Sequence, residues 1–476
     1  MRVFLAALKR AFFEESTPSK KDNILRLFLF ALLLVLLFNI WSGFLKLDLI
    51  YTAPDWQKEY DYYSVLKQAV TEGVTPYHIS REYQTTDRFL AVPETDFSPM
   101  ILLLKWLDVR QYMYINLIFL FSLGFFGLLL LRDRLKLGFL AFAFLSLIFF
   151  MNGHIVAHIS GGHYMWAGYF LLPFFFLYLL ELGDGKNFLT AACKLALSIF
   201  FIFITGGFHI AVWCLLLLFL TGLLNKSLRK YSFLALLFTA LLLTFRLAPA
   251  MITYFDNAGT HVRGFYSIFI LLESMVVMHG PDFIPAGWQK SWTEYNTFID
   301  LTGFAAILYF GVYFSLKKTA GKDSFKSFYW PIGIITILTL SKLGWMPIPP
   351  FNAEKVSTRM LIIPVLFLAV ISAARLQEFL KKAEKGIVFT LVSAVLLIML
   401  YTSLSTNMEE WQPKGAEMGG GFSYVGATLV NKDEPRYKLV FDASVLVSGV
   451  VFLSLIGLLI ATRRKTSTKS EIRNSK

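Results

Sequence analysis

The stretch YTAPDWQKEYDYYSVLKQAVTEGVTPYH, residues 51–78, sets the acids Asp55, Glu59 and Asp61 close together directly after an apolar run. A carboxylate held ionised within reach of a hydroxyl is a general base, a contribution of about 10²–10⁴ in rate. Asp55 also has a plainer use. It follows Thr52 by three positions, the spacing of a capping box, in which the acid accepts the orphan amide hydrogens of a first helical turn. Spacing leaves both readings open, with Glu59 and Asp61 as further candidates for the base.

Cations that steady a developing negative charge would complement such a base. Arg246, in LLLTFRLAPAM, stands near the end of an apolar run, where an unpaired charge costs up to about 3 kcal/mol and calls for an anion or a route to the headgroups. Arg359 opens a later run and serves equally well as a headgroup anchor, and Lys342 is a weaker third candidate. The segment NGHIVAHISGGHYMW sets His154 and His158 one helical turn apart, with His163 just beyond. A pair at that spacing can bind zinc, but the Glu of H-E-x-x-H is missing. That argues against a zinc protease, while metal binding, hydrogen bonding to a polar ligand and simple interfacial packing all stay open. Gly161-Gly162 permits a close backbone approach or a tight turn. Glu294 and Asp300 flank another run, where either orients an acceptor or pairs with Arg246 or Arg263. Trp288 and Trp292 stack on sugar rings or belong to an interfacial aromatic belt.

Elements embedded in a membrane have to position these residues. The 476-residue chain is 56% hydrophobic and 16% charged, whereas soluble domains average about 25% charged residues. Apolar windows long enough to cross a bilayer as helix recur about twelve times. They lie near residues 25–46, 112–131, 137–153, 164–182, 188–205, 208–225, 231–250, 298–316, 327–343, 359–375, 386–404 and 440–462. The expected fold class is therefore all-α: a polytopic integral membrane protein of about twelve transmembrane helices.

Alternate connections carry Lys20/Lys21, Arg132/Arg134/Lys136, Lys226/Arg229/Lys230, Lys317/Lys318/Lys322, Lys381/Lys382/Lys385 and Arg463/Arg464/Lys465. The positive-inside rule puts all of these, and both termini, in the cytoplasm. It also accounts for the net charge of +13 without any nucleic acid. The long connections, 47–111, 251–297, 344–358 and 405–439, then lie outside a cytoplasmic membrane, where the chemistry is expected. Three regions follow. Residues 1–23 hold an amphipathic segment that reads as a helix on the inner membrane surface rather than a cleaved signal peptide. The membrane domain covers 24–462, and 463–476 reads as a basic, unstructured tail. Cys193 and Cys214 sit in apolar runs with no paired spacing, so they read as packing residues. No GxxxxGK[ST] loop is present, which argues against ATP hydrolysis.

The order Asp55-Trp56, Tyr62-Tyr63, Gly73, Pro76-Tyr77 and then AVPETDFSPMILLLKWL resembles the first external loop of GT-C type membrane glycosyltransferases, most of all their YfhO-like branch. The likeness continues in FFMNGHIVAHISGGHYMWAGYFLLPFFFLYL, FRLAPAM, WTEYNTFIDLTGFAAILYFG and VSTRMLIIPVLFLAV, and so spans about residues 40–375. It implies interfacial helices in the first external loop, a catalytic Asp at the position of Asp55 and a Ser-Pro landmark at Ser98-Pro99. The Pro-x-Trp-Asn common after the loop glycine is replaced by Pro76-Tyr77-His78, and Glu59 or Asp61 remains an alternative for the catalytic place.

The resemblance also implies transfer of a sugar from a polyprenyl phosphate to a hydroxyl of a glycan, glycolipid or protein acceptor, with membrane lipids as further partners. Tyr63, His154, His158, His163, Arg246, Glu294 and Arg359 form the expected substrate-binding set. Relatives are implied to work without a metal, and no cofactor is expected, although a divalent cation stays open. The rival readings are a secondary transporter or flippase of lipid-linked sugars, which shares the span plan, and an oligosaccharide polymerase or ligase. A transporter would carry a half-to-half repeat and ionisable groups near the midplane.

Overall fold

A computed structural model describes residues 10–15, 20–83, 86–185, 187–254, 264–284, 292–317, 325–340, 356–383, 386–417 and 426–474. Arg263, Trp288 and Lys342, named above, lie outside these residues. Among the described residues, each of the twelve apolar windows overlaps one or more helices. Among the described residues, seven helices are long and apolar enough to cross a membrane, and eight if a bent pair counts as one span. The chain is a multi-pass membrane protein.

Sequence decides which helices lie at the centre. Phe139–Met151, FLAFAFLSLIFFM, is apolar on every side and all its residues are buried, as expected of a helix with protein all around it. The windows of Ile387–Glu410 and Pro435–Arg463 are only 11% buried. Their exposed Leu, Val and Ile side chains face the hydrocarbon, which leaves no backbone group unpaired because helices satisfy their own. Val109–Leu135 starts at a capping box of Asp108 and Gln111 and stops at Lys136, whose φ is 57°.

Two breaks matter for function. At Asn152 the central helix ends, and the same side chain caps the next one, Gly153–Ser160, by accepting from the amides of His154 and Ile155. Gly153 lies against residues 296–298, its amide donating to the Phe298 carbonyl at 2.8 Å, and a Cβ there would overlap the Asn296 side chain. The second break divides the span expected over 231–250. Lys226–Leu242 and Thr244–Thr253 meet at 71°, and the bend turns Arg246 into the protein.

The long connections meet at one end of the bundle. Leu49–Tyr51 pairs antiparallel with Gly415–Glu417, and His78–Ile79 pairs with Leu429–Val430. Arg88 reaches Glu434 at 2.8 Å, and the indole of Trp411 donates to the His279 carbonyl. Short connections meet at the opposite end, where Arg134 pairs with Asp184 and Gln377 donates to the Phe13 carbonyl.

One sequence expectation gains detail and another needs correction. Ala11, Phe12 and Phe13 are buried, with Phe12 against Phe139 and Phe13 against Phe389, so this part of the N-terminal segment docks on the bundle. The basic end is helical: the last helix runs Pro435–Asn474 because TRRKTSTKSEIRN holds neither Gly nor Pro to stop it.

Candidate functional site

The loop helix is Pro54–Glu72, closed by Gly73 at φ 70°. Pro54 occupies its first turn, where a missing N–H leaves no bond unmade. Ala53 is the cap and makes no side-chain bond, so the Thr52–Asp55 capping box does not form. Glu59 and Asp61 are each 1% exposed, and Trp56, Tyr60, Tyr62, Tyr63, Val65 and Leu66 are buried with them, so protein covers more than one face.

Asp55 alone of the three acids keeps a half-exposed side chain, at 48%, and its Oδ2 lies 3.1 Å from His163 Nε2. Burial would raise its pKa, but the His163 hydrogen bond and the charges of His163 and Lys58 outweigh that and hold it below the usual carboxylate range. Glu59 differs. Burial pushes its pKa up to about 8, so it is mostly protonated at neutral pH. Asp61 accepts from Arg81 at 2.9 Å and from the Ala427 amide at 2.8 Å, which ties the first long connection to the last.

From Asp55 a closed circuit of contacts runs through the site. His163 lies 5.2 Å from the His158 ring, whose Nε2 is 3.9 Å from Glu294 Oε2. Glu294 grips Arg359 at two points, 2.6 and 2.7 Å. Arg359 sits 5.7 Å from the centre of the Trp166 ring, which is stacked with His209 at 5.9 Å and 11°. His209 faces Glu94 at 3.4 Å, and Glu94 receives Lys58 at 2.9 Å. Lys58 stands one helical turn beyond Asp55 and completes the circuit. Burial would raise the pKa of Glu94, but Lys58 and His209 hold it well below the usual range. Four of the seven histidines thus gather here, with His154 packed 4.3 Å from His158.

Tautomers follow from the partners. His158 Nδ1 lies 2.8 Å from the His154 carbonyl, which only accepts, so Nδ1 carries the hydrogen and Nε2 presents a lone pair toward Glu294. A proton or a hydroxyl between these two acceptors satisfies both. The arrangement therefore offers an ionised carboxylate at the surface, fixed cations beside it, and inner groups able to bond hydroxyls. Among the described residues, no group of three or more His, Cys, Asp or Glu side chains is placed to hold a metal ion.

Other expected residues have different surroundings. Arg246 is 2% exposed and donates to the carbonyls of Leu90 and Val92 and to Thr95 Oγ1, with its guanidinium over Phe97. It braces the turn that carries Glu94. Tyr63 lies in the core, its hydroxyl 3.4 Å from Asp96. Trp292 is buried between His279, Phe283 and Tyr295 rather than displayed to a sugar. Asp300 accepts from the Thr302 amide and Ser403. Reasoning from sequence missed Lys58, Glu94, Trp166 and His209. Of these, Lys58 was legible, being one turn from Asp55 on the same helix face.

A scan against models of known protein families finds no match to the chain, and a search of curated proteins finds none.

Proposed function

We propose that the chain is a membrane glycosyltransferase of the GT-C type, in the YfhO-like branch, with about twelve spans. It moves a sugar from a polyprenyl-phosphate carrier to an acceptor hydroxyl at the outer face of a cytoplasmic membrane, and both termini are cytoplasmic. Asp55 takes the hydroxyl proton as the acceptor oxygen bonds to the anomeric carbon. The bond from that carbon to the phosphate oxygen breaks, and its electron pair leaves on the phosphate. Lys58 and Arg359, each held by a carboxylate, stand by the leaving charge, where fixed cations are most effective.

One observation carries this reading. Of the three candidate acids, Asp55 alone is half-exposed while contacting a histidine, with Lys58 one turn away on the same helix. Glu59 and Asp61 are enclosed. The experiment compares surface glycans and glycolipids from cells carrying the wild type, Asp55→Asn and Asp61→Asn. Product is lost with Asp55→Asn at normal protein level, while Asp61→Asn retains product in proportion to folded protein. Intact product with Asp55→Asn overturns the reading.

A further inference from the structure

The side chain in contact with the Asp55 carboxylate is His163, and the backbone is built to bring it there. Gly162 has φ +95° and lies flat on the first turn of the loop helix. A Cβ at Gly162 would collide with the Trp56 nitrogen and come within 2.8 Å of the Asp55 carbonyl carbon. Just before it, the Ser160 carbonyl accepts from the Trp56 indole at 3.0 Å. Just after it, the His163 amide donates to the His158 carbonyl at 2.9 Å. The turn 160–163 is thus tied to Trp56 through the Ser160 carbonyl and folded back on its own helix through the His163 amide, with the imidazole against Asp55.

Its protonation follows from chemistry. A carboxylate accepts only, so Nε2 carries the hydrogen that meets Oδ2. Nδ1 is buried and has no hydrogen-bond partner among the described residues. The imidazole side chain is 10% exposed while the carboxylate it holds is 48% exposed. One oxygen of Asp55 is therefore fixed from inside and the other is left toward the open side.

We propose that His163 is a positioning residue for Asp55: its Nε2–H fixes Oδ2 and leaves Oδ1 as the oxygen that takes the acceptor's proton. The proposal rests on the reading of Asp55 as the base. The proton passes from the acceptor hydroxyl to Oδ1 while the His163 Nε2–H stays on Oδ2. Lys58 and Glu94 act on the carboxylate from its own helix and from the 90–97 turn, with opposite signs. The hydrogen bond of His163 keeps the acid ionised despite its partial burial.

Two variants separate this role from simple packing. His163→Gln puts an amide N–H near the place of Nε2, whereas His163→Phe fills the space with no donor. Protein labelled with ¹³C at aspartate carboxyls is titrated in lipid nanodiscs, and the Asp55 signal is the one missing from Asp55→Asn. His163→Phe moves its midpoint up by about one pH unit or more, and His163→Gln keeps it near the wild type. In cells, product formation by His163→Phe fades at a higher medium pH than in the wild type, and His163→Gln restores the profile. An unmoved midpoint in His163→Phe, or a moved midpoint with an unchanged product profile, overturns the proposal. The titration needs no substrate, so its failure is distinct from failure of the glycosyltransferase reading, which Asp55→Asn product alone decides.

Discussion

Glu294 and Arg359 form a two-point pair, Oε2 to Nε at 2.6 Å and Oε1 to Nη2 at 2.7 Å, with side chains only about a tenth exposed. The residues lie 65 positions apart. Their pairing locks the segment before one apolar helix to the start of another, and Thr358 Oγ1 reinforces it by donating to the Glu294 carbonyl. A guanidinium held at two points keeps one orientation, which a cation meant to receive a leaving phosphate requires.

Breaking that pair strands a charge in a place with little water. Glu294→Ala or Arg359→Leu alone lowers stability by about 3–5 kcal/mol, and the double variant recovers part of the loss. Thermal unfolding of detergent-solubilised protein checks this. Equal stability of either single variant and wild type would remove the pair from the account.

Glu59 sets a pH dependence of stability. Its folded pKa, raised to about 8 by burial, lies above that of the unfolded chain, so the folded state binds more protons through the interval between them. Stability is fully present below the unfolded value and is lost as pH rises toward about 8, at up to about 1.4 kcal/mol per pH unit. Glu59→Gln keeps the neutral form permanently. It should match the wild type in acid and exceed it near pH 8, as read from melting temperature against pH.

Gly162→Ala tests the close approach of two backbones. The added carbon meets Trp56 at a backbone angle disfavoured for L-residues, a strain of about 1–3 kcal/mol. The turn moves off the loop helix, and the Asp55–His163 contact opens. Product should fall to the level of His163→Phe while Gly161→Ala, where the nearest neighbours are farther off, costs less. Glycan analysis beside a stability measurement separates the two effects.

Asp61 clasps the last long connection to the first. Asp61→Ala removes the acceptor for the Ala427 amide, and that amide and the Leu429–Val430 strand should exchange hydrogen about tenfold faster or more, a loss of roughly 1–2 kcal/mol for a hydrogen bond to a charged group. Hydrogen exchange by mass spectrometry over residues 426–434 reads this directly.

The seven helices of membrane length among the described residues were legible because their apolar windows are runs of that length, and a helix is the one local structure that satisfies its own backbone there. The first helical turn at Asp55 was legible from the Thr52–Asp55 spacing, although the cap that this spacing suggests does not form. The bend ahead of Arg246 was not, because its cause is tertiary: the guanidinium reaches carbonyls more than 150 residues earlier. The same reason hid Glu94 and His209. Lys58 and Glu94 are 36 residues apart and Glu94 and His209 are 115 apart, and no periodicity in a single segment brings them together. The enclosure of Glu59 and Asp61 escaped notice too, since what packs on that helix comes from other segments: Pro99–Lys105 and, at Asp61, the Ala427 amide.

The central claim is that Asp55 accepts the proton of the incoming hydroxyl. Its most direct test is sugar transfer from a radiolabelled polyprenyl-phosphate sugar pool in membranes containing equal amounts of wild type, Asp55→Asn and Glu59→Gln protein. The account predicts that Asp55→Asn lowers transfer by about 10²-fold or more while Glu59→Gln stays within a few-fold of the wild type. Wild-type transfer by Asp55→Asn, or a loss confined to Glu59→Gln, would contradict it.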